Sequence, residues 1–183
     1  MGWGGYWRWL RAPLVVERIW IRRGRCSTCR RSHALLPDLV LARRLDAVDV
    51  IGRGVATKLT SRLGLRPIAK QLDVPHTTVR SWLERFRARS PMLLARCTAL
   101  AVALDGTAVN VTAGAASERA ALDVLSVVWQ RARARFGERI GNPWSFWSRI
   151  SGGQALGTHT TSPWAHVAGA DWMTPSPLRG PSP

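Results

Sequence analysis

Apolar residues recur at helical spacing between residues 66 and 86, and a proline-containing break divides them into two groups. The break is Asp73-Val74-Pro75, which predicts a tight turn because proline suits the start of a new helix. The residues that would face inward are Ile68, Ala69, Leu72, Val74, Val79, Leu83 and Phe86. The pattern therefore predicts two short helices joined by a turn, with Trp82 half on the buried face.

The polar positions left outside this helix pair suit contact with duplex DNA. In a helix-turn-helix, the first turns of the second helix enter the major groove, while other side chains hold the phosphates. We expect base edges to be reached by His76, Thr77, Arg80 and Ser81. We expect phosphates to be held by Arg66, Lys70, Thr78, Arg85 and Arg87. An ordinary helical hairpin with a polar outer face has similar spacing, so that alternative stays open.

The rest of the pattern predicts a mainly α chain with a small β-ribbon at its N-terminus. Residues 14–22 are rich in β-forming side chains, and another strand is expected from Ser32 to Leu36. An apolar stripe predicts a helix over residues 43–62, although Gly52 and Gly54 count against it; the stripe is Leu45, Val48, Ile51, Val55 and Leu59. This helix would complete a trihelical domain with the helix pair.

Two further apolar stripes predict helices in the second half of the chain. One follows Ser90-Pro91 and includes Cys97. The other predicts a long amphipathic helix over residues 117–136, whose stripe is Leu122, Leu125, Trp129, Ala132 and Phe136. Beyond Ala155 the chain is rich in Thr, Ser, Pro and Gly, which predicts a largely irregular or disordered tail.

Positive charge is concentrated in the half that contains the helix pair. The chain carries 27 Lys/Arg against 11 Asp/Glu, a net charge of +16. Up to Arg96 there are 20 basic and 6 acidic residues, a net +14, against 7 and 5 beyond it, a net +2. Clustered cations favour a phosphate backbone, because each neutralised phosphate releases counterions. RNA or an anionic membrane surface would attract them too, so charge alone does not choose the partner.

Two cysteines in the β segment have the spacing of a metal knuckle. Cys26 and Cys29 are separated by two residues, which suits two thiolate ligands of a zinc ribbon. His33 could offer a third ligand, whereas Cys97 fits a buried small hydrophobe. The chain has no second Cys-x-x-Cys. Zinc is therefore a candidate cofactor, with Cys26 and Cys29 as its predicted ligands.

With both pieces in view, the chain resembles a family of uncharacterised bacterial proteins that pair an N-terminal zinc ribbon with a transposase-type helix-turn-helix. The resemblance is carried by Arg25-Cys26-x-x-Cys29, Ser32-His33-Ala34-Leu35-Leu36-Pro37, Arg43-Arg44-Leu45-Asp46, Ile68-Ala69-x-x-Leu72, Thr78-Val79-Arg80-x-Trp82-Leu83-x-Arg85-Phe86 and Ser151-Gly152-Gly153. It implies DNA binding connected with mobile elements or their remnants. We also expect a cytoplasmic, nucleoid-associated protein, because the longest apolar stretch, residues 99–104, is too short for a bilayer.

The chain departs from that family at its start, where the first cysteine knuckle has no counterpart. We expect that the chain is truncated or that its start codon is assigned too late. Without that knuckle, the N-terminal strands should be poorly anchored and their exposed tryptophans should promote aggregation. Those tryptophans are Trp3, Trp7, Trp9 and Trp20. The expected segments are a partial zinc ribbon (1–37), a helix-turn-helix domain (38–90), a helical region (91–150) and the tail (151–183).

We expect no catalytic activity. A transposase catalytic domain gathers several carboxylates on a β-rich core to hold two metal ions. The C-terminal half offers carboxylates mostly on helical segments, at Asp105, Glu118, Asp123, Glu138 and Asp171. The sequence therefore predicts a DNA-binding protein without a catalytic domain of its own.

Two other functions stay open. In the first, the helices of the C-terminal half drive homo-oligomerisation and the basic half binds polyanions nonspecifically. In the second, Trp3, Trp7, Trp9 and neighbouring arginines bind a membrane surface, although glycines break that segment. Competition separates the first from specific binding, because sequence-specific binding should survive an excess of random DNA.

Overall fold

The computed structural model describes residues 2–12, 15–110 and 115–156 of the chain. A three-stranded antiparallel sheet with the order β1-β2-β3 precedes a helical body, which confirms a mainly α chain with a small N-terminal β segment. The elements are β1 (Gly2–Ala12), β2 (Val15–Arg25), β3 (Ser32–Leu35), α1 (Val48–Thr60), α2 (Leu65–Gln71), α3 (His76–Asp105), α4 (Ser117–Phe136), a 3-10 helix (Gly137–Ile140) and α5 (Pro143–Ile150). The disordered tail predicted after residue 156 lies outside the described residues.

The β1–β2 hairpin is firmly attached to the helical body, contrary to the expectation of poor anchoring. Leu10 and Ile21 on its inner face are completely buried. The backbone of Arg11 donates to the carbonyl of Leu45 and accepts from the N–H of Ala47, both at 2.8 Å. These bonds extend the hairpin onto the segment before α1, so the attachment does not depend on a cysteine knuckle.

The helix predicted over residues 43–62 is shorter, because its first turn is replaced by that attachment. Arg43 has a φ of 59°, which is incompatible with a right-handed helix. The backbone of residues 45–47 bonds to Arg11 instead of to a helical neighbour. Leu45, which we assigned to the buried stripe, is 56% exposed. Helix α1 therefore begins at Val48, and it ends at Thr60.

The two glycines that weakened the prediction of α1 are explained by close packing. A Cβ atom at Gly52 would lie 2.0 Å from the ring of Trp144, on α5. A Cβ atom at Gly54 would lie 3.1 Å from the side chains of Leu72 and Trp82. The loss of helix propensity, about 1 kcal/mol per glycine, is offset by aromatic packing that a larger residue would obstruct.

Helices α2 and α3 form the predicted pair with a short turn between them. Ile68, Ala69, Val79 and Phe86 are buried as expected, while Leu72, Val74 and Leu83 are partly buried against the same core. The turn includes Asp73, with a φ of 51°, and Pro75 directly precedes α3. Trp82 is 2% exposed, so it is a core residue and not half-exposed as predicted.

Helix α3 continues through Ser90 and Pro91, where we drew a boundary between segments. Proline inside a helix costs about 3 kcal/mol, because it lacks an N–H and its ring crowds the preceding turn. Beyond Pro91 the helix buries Leu93, Cys97 and Ala101 in the same hydrophobic core as the first half. This burial offsets the cost of the proline, and a single helix therefore links the two halves of the chain.

Helix α4 has the predicted bounds, and four residues of the predicted stripe face the core: Leu125 and Ala132 are buried, and Leu122 and Trp129 are partly buried. Its core residues are Ala120, Ala121, Val124, Leu125, Val128 and Ala132. Phe136, assigned to the apolar stripe, is 51% exposed. The buried face includes the valines because α4 packs along α3, from the Arg87–Glu118 ion pair to the bond that Arg135 donates to the carbonyl of Leu104. None of the helices in the described ranges combines the length and apolar character needed to cross a membrane.

Candidate functional site

The four residues predicted to reach base edges lie together on the first two turns of α3. Thr77 and Arg80 are exposed, while His76 and Ser81 are half-buried. On the opposite side of these turns, Val79 and Trp82 are held in the core. Helical periodicity explains the grouping, because a buried stripe on one side leaves the intervening positions outside.

A basic cleft borders one side of these turns. Thr77, Thr78 and Ser81 form one wall of the cleft. Arg43 and Arg44, from the segment before α1, form part of the other wall. Sequence reasoning missed these two arginines as contact residues because it placed them in the first turn of α1. Two adjacent arginines in the sequence could have indicated a phosphate contact. Their position opposite α3, however, depends on the backbone bonds between Arg11 and the residues that follow them.

The segment that carries Arg43 and Arg44 is held in place by hydrogen bonds to residues 148–156. The N–H of Ala42 donates to the carbonyl of Gly153 at 2.7 Å. Ser148 Oγ on α5 donates to the carbonyl of Val40 at 2.8 Å, and both groups are buried. Arg44 Nη2 donates to the carbonyl of Leu156 at 3.3 Å. Residues far apart in the sequence therefore position this wall of the cleft.

The cleft carries more positive than negative charge. Burial lowers the pKa of Arg44, and the nearby charge of Arg85 lowers it further. Asp46 is 3% exposed and pairs with Arg11 Nε at 2.8 Å; burial raises the pKa of this carboxyl despite the ion pair. Arg44 Nε is buried without a hydrogen-bond partner in the described part of the chain. An anion placed here would reduce the repulsion between Arg44 and Arg85.

The other predicted phosphate contacts differ in their surroundings. Arg66 and Lys70 are exposed on α2. Arg85 is half-buried, and its Nε donates to Ser81 Oγ at 3.3 Å, so Ser81 orients this arginine. The guanidinium of Arg87 instead pairs with Glu118 on α4, with Nε 2.5 Å from Oε1, and lowers the pKa of that carboxyl. A phosphate would have to compete with Glu118 for Arg87.

A second candidate site lies where β2 turns into β3. The side chains of Cys26, Cys29 and His33 bring their ligand atoms within 4.8 Å of one another, so this group could hold a metal ion. The N–H of Cys29 donates to Cys26 Sγ at 3.5 Å, and this bond lowers the pKa of the Cys26 thiol. The antiparallel pairing of Gly24 with His33 places the imidazole beside the knuckle.

The donor set of this group fits zinc, with one position left to fill. Cys29 Sγ lies 3.2 Å from His33 Nε2. Bond lengths of about 2.3 Å to sulfur and about 2.0 Å to nitrogen would separate two ligands of a tetrahedral zinc ion by about 3.5 Å. A small adjustment therefore suffices. Structural zinc sites have four ligands, and the described residues supply three at this place.

Alkylation should distinguish the knuckle from the third cysteine. Burial raises the pKa of Cys97 to about 12, so almost no thiolate forms there near pH 8. Iodoacetamide should therefore modify Cys26 and Cys29 in the folded protein, and Cys97 only in denaturant. Added Zn²⁺ should protect the first two thiols, as measured by peptide mass spectrometry. Equal labelling of all three thiols would contradict the buried position of Cys97, and unprotected knuckle thiols would contradict zinc binding.

No known protein is similar enough to this chain to show its family or function. The chain matches no protein-family model, no curated protein and no solved structure. The resemblance to zinc-ribbon and helix-turn-helix proteins therefore stays a prediction, and the function is argued below from the geometry of the chain.

Proposed function

We propose that the protein binds double-stranded DNA through a helix-turn-helix formed by α2, the turn and α3. The observation that carries this proposal is the exposure of Thr77 and Arg80 on the first turns of a helix whose opposite side is buried. Such a helix presents its N-terminal turns as a ridge that fits the major groove. Arg80 would contact guanine edges, and Thr77 would contact a neighbouring base.

Cationic side chains around this ridge would make the phosphate contacts. Arg43 and Arg44 line the basic cleft on one side, and Arg85 lies near enough to Arg44 for its charge to lower the pKa of that guanidinium. Arg66 and Lys70 are exposed on α2, the helix that would cross the DNA backbone. Phosphates placed at these groups would neutralise cations that repel one another in the free protein, and would release counterions.

The proposed biological role follows the resemblance described above. A duplex-binding protein of this type would belong with mobile-element transposases or with their regulators and would act at the bacterial nucleoid. Recognition is the proposed activity, without a catalytic domain in this chain. Zinc at Cys26, Cys29 and His33 would stabilise the β2–β3 turn and take no part in the chemistry of recognition.

Substitutions on the two helices should affect binding differently. Selection from a random duplex pool first identifies a preferred site. Arg80→Ala should then weaken binding to that site by about 1–3 kcal/mol and relax the preference at one base pair. Lys70→Ala should weaken all duplexes alike and reduce the salt dependence, because a phosphate contact carries no sequence information. Fluorescence anisotropy with selected and scrambled duplexes measures both effects.

A matched control removes the same charge elsewhere. Arg139 is exposed on the 3-10 helix, outside the helix pair, so Arg139→Ala should leave the sequence preference intact. If Arg80→Ala and Arg139→Ala behave alike, α3 does not read the sequence. If random DNA competes as well as the selected duplex, the alternative of nonspecific polyanion binding is supported instead.

A further inference from the structure

The outer face of the β1–β2 hairpin carries large aromatic side chains that the core does not use. The antiparallel register places Trp7 opposite Trp20 and Trp9 opposite Arg18, so these four residues share one face of the sheet. Trp7 and Trp9 are each 57% exposed, and Trp20 is 46% exposed. We call this surface, together with Arg22, the tryptophan face. On the other side of the same strands, Leu10 and Ile21 are completely buried.

The rings of the tryptophan face are held by contacts with one another and with an arginine. The ring centroids of Trp7 and Trp20 are 5.3 Å apart in an edge-to-face arrangement. The guanidinium carbon of Arg18 lies 5.3 Å from the ring centroid of Trp7 and 5.6 Å from that of Trp9. A Cβ atom at Gly5 would lie 2.6 Å from the ring of Trp20. The glycine therefore lets this indole lie close over the sheet.

The charge of the tryptophan face restricts what could cover it. Arg18 and Arg22 are exposed among the rings, whereas Glu17 points to the opposite face of β2. A suitable occupant must therefore be anionic and must also present flat apolar surfaces. Single-stranded nucleic acid has both properties, because unpaired bases expose their faces while the backbone carries phosphates. In a duplex the base faces are covered by their neighbours, so duplex DNA does not fit this surface in the same way.

We infer that the tryptophan face binds single-stranded nucleic acid by stacking bases on Trp7, Trp9 and Trp20. Arg18 and Arg22 would contact the phosphates between the stacked bases. A lipid surface fits less well, because Arg18 lies against the rings of Trp7 and Trp9 and would lose its hydration if these exposed rings entered an apolar layer. No residue of the tryptophan face lines the basic cleft beside α3, so we expect single-strand binding to respond to different substitutions from duplex binding.

The test uses the full chain and three probes. A fluorescein-labelled thymidine strand of about 15 nucleotides is long enough for such a platform, and an abasic strand of the same length keeps only the backbone charge. Anionic phospholipid vesicles are the third probe. Anisotropy should show that the parent protein binds the thymidine strand at least tenfold more tightly than the abasic strand, and co-sedimentation should show no comparable binding to vesicles.

Conservative variants separate stacking from apolar contact. Trp9→Leu keeps an apolar side chain but removes the ring, and should weaken binding of the thymidine strand roughly 5- to 100-fold. Trp9→Phe keeps a ring and should lose much less. Arg80→Ala, on α3, should leave single-strand binding unchanged while it weakens duplex binding. Circular dichroism establishes that each variant is folded.

Several results would overturn the inference. Equal affinity for the thymidine and abasic strands would leave only charge as the cause of binding, and this comparison needs no variant. Trp9→Leu binding like Trp9→Phe would show that the surface needs apolar area and not a ring. Stronger binding to vesicles would support a membrane surface. Dissociation of a dimer by Trp9→Leu, with unchanged strand affinity, would make the tryptophan face a contact between copies of the chain.

Discussion

Affinity for the selected duplex is expected to fall about five-hundredfold when the salt concentration is raised from about 50 to about 200 mM. The reason is the number of cations that the proposed site directs at phosphates, about five. They are Arg43, Arg44, Arg66, Lys70 and Arg85. Each neutralised phosphate contributes about −0.9 to the slope of log affinity against log salt, so a slope of about −4.5 is expected. Anisotropy titrations at four or five salt concentrations measure it.

Single substitutions should show how much each cation contributes to this salt dependence. Arg43→Ala should make the slope less negative by about one, because it removes one exposed cation from the basic cleft. Arg44 is a poorer choice, since its guanidinium also bonds to the carbonyl of Leu156. Arg139→Ala serves as the control and should leave the slope unchanged. A slope near zero, or one insensitive to Arg43, would remove the basic cleft from the proposed interface.

Replacement of Phe86 by alanine is expected to lower the free energy of unfolding by about 3–5 kcal/mol. Phe86 is completely buried, and its ring meets that of Trp147 with centroids 6.0 Å apart in an edge-to-face arrangement. This contact joins α3 to α5, so the substitution removes apolar burial and leaves a cavity between two elements. Urea denaturation followed by far-ultraviolet circular dichroism measures the change.

The same helix offers a matched control for the Phe86 variant. Glu84 is exposed two residues earlier, and Glu84→Ala should change the free energy of unfolding by no more than about 0.5 kcal/mol. Phe86→Ala should also weaken duplex binding, because α5 holds the segment before α1 through Ser148. Similar stability of the two variants would mean that α5 does not pack on α3.

Several elements could be predicted from the sequence because interactions between residues close in sequence determine them. The helix pair follows from a 3.6-residue apolar period interrupted by Asp73-Val74-Pro75, and both helices form where that period predicts them. Helix α4 begins and ends at the predicted residues, since its polar start and basic end match the helix dipole. The cysteine knuckle is also local, and His33 joins it through the neighbouring strand.

Other features depend on tertiary contacts between residues far apart in the sequence, which a local sequence pattern does not reveal. Leu45 continues the apolar period of α1 into the segment before it, yet bonding to Arg11 gives this segment another conformation and brings Arg43 to the basic cleft. Pro91 indicated a break, but burial on both of its sides outweighs the cost of one lost hydrogen bond. In both cases tertiary packing supplied more free energy than the local preference.

The sequence by itself therefore determined the helix pair, α4 and the strands β2 and β3, which side of the first turns of α3 faces outward, and that the charge lies mainly in the first half. Only the tertiary structure decided that Arg43 and Arg44 stand opposite α3, and that Trp7, Trp9 and Trp20 share an exposed face. The physical reason is the sequence distance over which each interaction acts. Helical periodicity and turn residues act over a few positions of the chain. A cleft or a sheet face, in contrast, is formed by residues that come into contact only after folding.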